Sequence, residues 1–391
     1  MSYYEYHVAR RYVQFEGALR ELPNYAALIG KNILCLTACD PVREQIEEKI
    51  REGLGRPAAH WMSERLARES PRYARYFSMT DRLDALRGDL RVDFYDIGQS
   101  VVSEQNIRQV AELVRARGFD TVVGIGGGKA QDFARALTHF VPVKVILVPT
   151  LAATNASVST LSVLYTPDGK RIHQYWRMDN APELVLVDTE VLIGNPPAVF
   201  SAGIGDIMST YYEALCNLRA ARRTDMLPLF AVKGIELSIE IMKEQAPLAL
   251  ASVAQRKITP AFENVLSMIM HNCGPLNMIC TTGYAHILDE LFLYFDAAHR
   301  LPHGLRVGYA TIPMLCGRGA DDAQINAYIA FCKSIGIPTT LGEIGLADIS
   351  PAQWSEAFDA TLRRSGNHLS LPFPVTAETM IDDLEKARRF V

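Results

Sequence analysis

Short apolar runs alternate with amphipathic stretches through the first half of the chain. Branched apolar residues dominate these runs, and such runs predict buried strands. They are NILCLT at 32–37, TVV at 121–123, VKVILV at 143–148 and LVLV at 184–187. Apolar residues recur at helical spacing between them, as at 18–29 and 107–117. Strands that alternate with helices predict an α/β fold with a Rossmann-like, doubly wound parallel sheet.

The pattern changes after Pro196-Pro197, where helical periodicity replaces alternation. The longest periodic stretches lie at 207–220, 228–243, 261–272, 281–296 and 322–335. A chain of 391 residues has room for two sizeable cores. We therefore predict an α/β domain at 1–195 and an all-helical domain at 196–391.

A glycine turn follows the strand run that ends at Val123. Gly124, Gly126, Gly127 and Gly128 precede Lys129, and a helical pattern follows from Asp132. A strand, a glycine turn and a helix together offer bare backbone N–H groups to a phosphate. The spacing is not that of the Gly-x-Gly-x-x-Gly fingerprint, and a tight turn without a ligand is the alternative.

Two other candidate sites follow strands. Asp40 comes after the strand at 32–37, where an acidic residue can accept hydrogen bonds from a ribose and disfavour a 2′-phosphate. Capping of the next helix is an equally good explanation of Asp40. The polar loop 150–160 follows the strand at 143–148, and TPDG at 166–169 predicts a hairpin turn.

Composition narrows the class of protein. The net charge of −4 gives no reason to expect a nucleic-acid partner. No apolar run reaches the length of a membrane span, and the N-terminus has no signal-peptide core. Seven scattered cysteines suggest reduced thiols and a cytoplasmic protein. The arginine-rich segment 51–88 is either a solvated surface, a cover for a site or a subunit contact.

Three candidate metal ligands lie in the helical half of the chain. Asp206 follows Gly203-Ile-Gly205, His286 lies in an apolar helix, and His303 stands where a helix begins again. One carboxylate and two imidazoles with an open position suit zinc or ferrous iron. The spacing alone is weak support, because a single histidine in an apolar helix is more often a core residue.

Together these motifs resemble the glycerol dehydrogenase group of the metal-dependent, iron-containing alcohol dehydrogenase superfamily, which has the dehydroquinate synthase-like fold. The resemblance covers nearly the whole chain. It rests on GIGGGK at 124–129 with Asp132, on ATN at 153–155, on SxLSVLYTP at 159–167, on AGIGD at 202–206, and on the two histidine motifs.

The resemblance implies the roles of individual residues. Asp206, His286 and His303 would hold one divalent metal, with Asn155 facing the substrate in a cleft between the domains. An NAD cofactor would contact a larger set, comprising Asp40, Gly126, Gly127, Gly128, Lys129, Asp132, Thr150, Thr154, Ser159, Leu161 and Tyr165. The family commonly forms homo-oligomers.

Three positions depart from the family pattern. Thr210 stands where four-ligand iron members carry a histidine, which favours zinc over iron. Asn155 replaces a carboxylate that binds substrate hydroxyls, so an anionic substrate such as a phosphate or phosphonate ester is the hypothesis. Leu305 replaces the usual acidic residue after His-Gly.

The implied function is a metal-dependent, NAD(P)-linked dehydrogenase that interconverts a small secondary alcohol or polyol and its ketone or aldehyde. A divalent ion would act on the alcohol oxygen as a Lewis acid. The alternative is a lyase like dehydroquinate synthase or the sugar-phosphate cyclases, which use NAD transiently. A third class is a binding protein that kept the fold without catalysis.

Overall fold

A computed structural model describes most of the chain, in the ranges 9–39, 41–56, 80–169, 172–179, 181–220, 229–272 and 283–390. The chain divides into two compact units. The sheet unit comprises Val8–Thr150 and Ala156–Leu192, and the helical unit includes Leu151–Asn155 and Ile193–Val391. The short loop 151–155 thus groups with the helical unit, and the boundary at residue 195 stays a prediction. None of the helices in these ranges is long and apolar enough to cross a membrane.

The sheet unit contains a parallel sheet of six strands, in the order β1-β8-β5-β4-β2-β3. This confirms the predicted α/β class. Strands β6 and β7 form a separate antiparallel hairpin around the predicted turn. The strands are β1 Tyr12–Phe15, β2 Asn32–Ala38, β3 Arg91–Asp96, β4 Thr121–Gly126, β5 Lys144–Pro149, β6 Leu161–Tyr165, β7 Ile172–Arg177 and β8 Leu184–Asp188.

Helices cover the sheet, so the central strands are buried on both faces. Every residue of β4 is buried, as expected of a strand with helices on each side. The helices of this unit are α1 Leu22–Ala27, α2 Arg43–Gly55, α3 Thr80–Gly88, α4 Glu104–Arg117, α5 Gly128–Ala136 and α6 Thr189–Leu192. Short 3-10 turns span Ala18–Glu21, Leu137–His139 and Ala156–Val158.

The single helix predicted at 18–29 is wrong. A 3-10 turn ends at Glu21 and α1 starts at Leu22, with Pro23 in its first turn. Proline has no N–H to continue a preceding helix but fits the start of a new one. The carboxylate of Asp188 accepts bonds from the N–H groups of Gly17 and Leu19 and fixes the turn.

The glycine turn lies where the strand order reverses. The chain places β3 on one side of β2 and β4 on the other, and ligands of open α/β sheets bind outside the carboxyl ends at such a point. Gly126 ends β4 with φ +152°, and a Cβ there would fall 2.5 Å from the carbonyl oxygen of Ala38. Only glycine fits this position without strain.

The helical unit confirms the predicted all-helical character after Pro196-Pro197. Its helices are α7 Pro197–Ala220, α8 Leu229–Ala254, α9 Pro260–Ser267, α10 Tyr284–Phe292, α11 His303–Gly317, α12 Asp322–Ser334, α13 Pro351–Phe358 and α14 Ala377–Ala387. Shorter turns lie at Met268–Asn272, Asp296–Arg300, Asp359–Arg363 and Asn367–Ser370. Periodicity missed α13 and α14, although capping boxes start both, at Ser350 and Thr376.

Helices α7 and α11 touch backbone to backbone. A Cβ on Gly304 would lie 1.8 Å from the carbonyl oxygen of Ala202, and one on Gly205 would lie 2.2 Å from that of Gly304. No side chain therefore fits at the crossing. Asp206 follows one of these glycines, and His303 precedes the other, so the contact sets the distance between the two residues.

Candidate metal centre

Three elements of the helical unit bring the predicted ligands together. Asp206 lies in α7, His286 in α10, and His303 is the first residue of α11. One ligand atom from each lies within 4.8 Å of the others. Both Nε2 atoms face Oδ1 of Asp206, at 3.4 Å from His286 and 3.7 Å from His303. The Asp206 side chain is 3% exposed, against 21% and 38% for the histidines. The group is therefore open to solvent on its histidine side.

Asp206 is held by the loop 151–155 as well as by its own helix. The backbone N–H of Asn155 donates a 2.9 Å hydrogen bond to Oδ2 of Asp206, which leaves Oδ1 for the histidines. Burial raises the pKa of Asp206. The hydrogen bond and charge of His286, the charge of His303 and the Asn155 bond outweigh burial, so the pKa lies below its ordinary value. Asp206 is ionised near neutrality.

His286 is fixed by Glu213, one of two carboxylates that sequence reasoning missed. Oε2 of Glu213 lies 2.8 Å from Nδ1 of His286. Glu213 stands two helical turns after Asp206 on α7, so both carboxylates share a face of that helix. Burial lowers the pKa of His286, but Glu213 and Asp206 outweigh it and raise the pKa well above 6.5 in the metal-free site.

His303 is fixed by the second missed carboxylate, Asp289. Oδ2 of Asp289 lies 2.6 Å from Nδ1 of His303, and Oδ1 accepts a 2.6 Å bond from Nε of Arg306. Burial raises the pKa of Asp289, yet His303 and Arg306 lower it to about 2. Asp289 stands three residues after His286, a spacing that could have shown it on the same helix face.

The donor set fits a divalent cation. Each histidine presents Nδ1 to a carboxylate, which favours the proton on Nδ1 and leaves the Nε2 lone pair for a metal. The two Nε2 atoms and Oδ1 of Asp206 then make three protein ligands, with room for a further oxygen. The hydroxyl of Thr210 donates to the Asp206 carbonyl at 3.0 Å and is already used within α7.

The predicted phosphate-binding residues lie in the sheet unit, around the glycine turn. Gly127 precedes α5, and Gly128 and Lys129 form its first turn. Lys129 donates from Nζ to the carbonyl of Gly98 at 2.6 Å, and burial lowers its pKa. The N–H of Thr150, next along the sheet, donates to the Gly126 carbonyl. The turn therefore presents a helix N-terminus beside a half-buried cation.

Asp132 makes an internal contact instead of facing outward. Its carboxylate accepts a 2.6 Å bond from the fully buried Arg135, and its other oxygen accepts the N–H of Val163 in β6. Arg135 also donates to the carbonyl of Ala156 at 2.6 Å. This pair joins α5 to the segment 156–165, so Asp132 supports the predicted cofactor loops from behind.

The remaining predicted cofactor residues are placed as follows. Ser159 accepts the N–H of Leu161 through its hydroxyl, and the N–H of Tyr165 donates to the carbonyl of Val102. Thr154 is half-buried and belongs to the helical unit. Asp40 lies outside the described residues, as do residues 57–79 of the arginine-rich segment.

Comparisons with known proteins identify the family of this chain. A family model described as iron-containing alcohol dehydrogenase matches residues 75–189. Glycerol dehydrogenase of Thermotoga maritima is 31% identical over 297 residues, which cover 74% of this chain and 79% of that protein. Hydroxycarboxylate dehydrogenase A of Escherichia coli is 28% identical over 297 residues, covering 74% and 80%.

The fold also matches a solved structure. The crystal structure of a probable glycerol dehydrogenase from Sinorhizobium meliloti has a TM-score of 0.83 at 24% identity, covering 99% of both chains. The two relatives are named as dehydrogenases, so the comparisons do not favour the lyase alternative. The chain therefore belongs to the iron-containing alcohol dehydrogenase superfamily, as a glycerol dehydrogenase-like oxidoreductase of alcohols or polyols.

Proposed function

We propose that the chain interconverts a small anionic alcohol and its ketone or aldehyde. The reaction would use NAD(H) and one zinc ion held by three protein ligands. The convergence of Asp206, His286 and His303 carries this proposal. Zinc is favoured over iron because a histidine that would complete a four-ligand iron site is replaced by Thr210, whose hydroxyl is bonded within its helix.

Hydrogen bonds within the protein preorganise the three candidate ligands for a cation. A divalent ion held there would act as a Lewis acid on the substrate oxygen and lower the pKa of an alcohol. Asp206 supplies the charge, and the Asn155 amide keeps one of its oxygens turned away from the histidines. Glu213 and Asp289 hold the two imidazoles in a ligating orientation.

The sheet unit supplies the proposed cofactor site. The nicotinamide would accept or give the hydride, and this chemistry belongs to the cofactor. Gly127, Gly128 and Lys129 would bind the pyrophosphate at the N-terminus of α5. The preference for NAD over NADP rests on the chemistry of Asp40 alone, since a carboxylate disfavours a 2′-phosphate.

An anionic substrate is supported by charge. The backbone N–H of residue 155 binds the buried carboxylate of Asp206, and its side chain is a neutral amide. A carboxylate side chain at this position would repel an anionic substrate. The relative named as a hydroxycarboxylate dehydrogenase supports the same class, since a hydroxycarboxylate is an anionic alcohol. The anionic group itself, a phosphate, phosphonate or carboxylate, is left to the substrate panel.

The first test is NADH formation by metal-reconstituted protein. The panel contains small diols and polyols with their phosphate, phosphonate and carboxylate counterparts, each with NAD and with or without a chelator. We expect NADH formation that the chelator abolishes and zinc restores, and none from Asp206→Asn. Silence across the panel in protein that binds zinc and NAD would contradict the dehydrogenase proposal and revive the lyase or the non-catalytic binding protein.

The predicted homo-oligomer and the cytoplasmic location stay predictions. Size-exclusion chromatography with light scattering tests the first, and fractionation of cells tests the second.

A further inference from the structure

Helix α10, which carries His286, begins without a side-chain cap of its own. Its N-cap residue is Gly283, which makes no side-chain hydrogen bond. The first N–H groups of a helix need acceptors from outside the helix, and an N-cap oxygen normally accepts the N–H of the second or third helical residue. In α10 the third residue is His286, the proposed ligand.

The missing cap comes from α7. Oε1 of Glu213 accepts the backbone N–H of His286 at 2.8 Å, while Oε2 of the same carboxylate lies 2.8 Å from the ring Nδ1. One buried carboxylate thus fixes both the main chain and the ring of His286. The Glu213 side chain is 3% exposed, so water does not compete strongly for these bonds.

The identity of Gly283 follows from this arrangement. A Cβ at Gly283 would fall 2.4 Å from Cβ and Cγ of Glu213 and 2.6 Å from Cδ. No residue with an oxygen-bearing side chain can therefore occupy the N-cap. The carboxylate that replaces the cap thus excludes Ser, Thr, Asp and Asn, the residues whose side chains cap a helix.

The two histidines are supported differently. Asp289 contacts Nδ1 of His303 and also binds the guanidinium of Arg306. The negative charge of Asp289 is therefore divided between two partners. Among the ion pairs of the described ranges, Glu213 has only His286 as a partner. The charge of Glu213 therefore acts on His286 and on the positive end of the α10 dipole.

We propose that Glu213 is a positioning residue that joins the cap of α10 to the choice of His286 tautomer, and so determines metal affinity. This inference rests on the proposed three-ligand site. A backbone N–H can only donate, so Oε1 must accept, and Oε2 is left to accept the proton of Nδ1. Nε2 is then the ring atom left for the proposed metal, 3.4 Å from Oδ1 of Asp206.

Glu213→Gln separates the two roles. The amide oxygen can still accept the His286 N–H, and this forces the NH₂ group toward Nδ1. A donor there requires Nδ1 to accept, which moves the ring proton to Nε2 and blocks the ligand atom. The variant is therefore expected to keep the cap and lose the ligating tautomer.

The measurement is zinc affinity by competition with a chromophoric chelator, together with the melting temperature of the metal-free protein. We expect Glu213→Gln to bind zinc about 10–100-fold more weakly. Its metal-free melting temperature should fall, because His286 loses the carboxylate that offsets its charge, but a cooperative melting curve shows that the variant is folded. Cobalt substitution adds a spectroscopic readout, since loss of one nitrogen ligand changes the visible absorption.

Glu343→Gln is the matched control. Glu343 also accepts two backbone N–H groups, those of Thr339 and Thr340, but it does not contact a histidine. It should leave zinc affinity unchanged. Equal affinity of wild type and Glu213→Gln would overturn the inference, as would equal losses in the two variants. A wild type that binds no zinc would instead contradict the proposed function.

If Glu213→Gln fails to fold, Gly283→Ala tests the same link. Its Cβ would displace the Glu213 side chain without changing any charge. We expect weaker zinc binding from it as well. Full affinity in a folded Gly283→Ala protein would count against the proposal.

Discussion

The backbone N–H of Asn155 donates a 2.9 Å hydrogen bond to Oδ2 of Asp206. The position that departs from the family's substrate-binding carboxylate is therefore bonded through its main chain to the proposed metal ligand. Because this bond does not depend on the side chain, residue 155 can change its charge without releasing Asp206. Asn155 is thus a position where substrate preference and ligand support can be tested separately.

Asn155→Asp should reverse the preference for an anion. A unit charge about 5 Å away contributes roughly 3 kcal/mol at an effective dielectric near 20, so even a screened charge should matter. We expect the ratio of kcat/KM for an anionic alcohol to that for its neutral counterpart to fall by about tenfold or more. Steady-state kinetics on a matched pair of substrates measures this.

The neutral variant Asn155→Ser is the control for that experiment, because it keeps the backbone bond and adds no charge. Asn155→Ser should change kcat/KM for the two substrates by the same factor. If the neutral compound is used as well as the anion by the wild type, and Asn155→Asp does no harm, the anionic substrate is excluded.

Zinc binding should weaken as the pH falls. In the metal-free site, burial opposes protonation of His286, but the charges of Glu213 and Asp206 prevail and raise its pKa well above 6.5. The ring of His303 also faces the ring of His286, with centroids 5.3 Å apart. A metal ion must displace the proton, so binding releases it and zinc affinity should rise with pH up to the raised pKa.

The metal-free protein should show the opposite trend. A histidine whose pKa is raised by folding stabilises the fold fully below its unfolded value near 6.5, and this stabilisation is lost as the pH rises through the folded pKa. Melting curves with and without zinc across that range measure both slopes. Parallel curves would show that His286 does not exchange a proton for the metal.

Asp132→Asn should destabilise the sheet unit. Arg135 is fully buried and its charge is paired with Asp132 inside the fold. Removing one partner of a buried pair leaves an uncompensated charge and costs about 3–5 kcal/mol. Chemical denaturation measures the loss. The surface pair of Glu104 and Arg108 offers the control, since Glu104→Gln should cost less than about 1 kcal/mol.

A double variant distinguishes structural support from a direct contact with the cofactor. Replacing Asp132 and Arg135 together by apolar residues of similar size should recover much of the stability. NAD affinity should recover with it if Asp132 acts only from behind the loops. Restored stability with NAD binding still lost would show that Asp132 itself touches the cofactor.

Gly126→Ala should weaken NAD binding and destabilise the sheet. The new Cβ would lie 2.5 Å from the Ala38 carbonyl, at a φ of +152° that other residues rarely adopt. The strand end would have to move, and the phosphate-binding N–H groups with it. Isothermal titration with NAD and a denaturation curve measure the two effects.

Gly55→Ala is the control for this substitution. A Cβ at Gly55 meets no atom within 4 Å, and the residue ends a helix. It should leave NAD affinity unchanged. An unchanged affinity in Gly126→Ala would mean that the turn does not bind the cofactor's phosphates.

The sequence predicted the elements that depend on local patterns. Branched apolar runs identified β2, β4, β5 and β8, and the glycine turn marked the start of α5, because strand and turn preferences are written in neighbouring residues. The helix predicted at 18–29 failed at Pro23, where a local signal was available but was outweighed by the apolar period.

The supports of the site could not be predicted in the same way. Glu213 was hidden because its partner, His286, lies on another helix, and sequence spacing carries no distance between helices. Periodicity places Glu213 on the face of Asp206, but it cannot say that α10 lacks a cap. The resemblance brought the three ligands forward, whereas the carboxylates behind them emerged only from the packing.

The crossing of α7 and α11 has a consequence for which substitutions the sequence of this chain can accept. Since Gly205 and Gly304 meet main chain to main chain, no core side chain stands between Asp206 and His303 as a spacer. After substitutions elsewhere in the helical core, side chains can repack without altering the distance between Asp206 and His303. The spacing of these two candidate ligands therefore does not depend on the surrounding core side chains, and those side chains can differ widely among sequences that keep the two glycines.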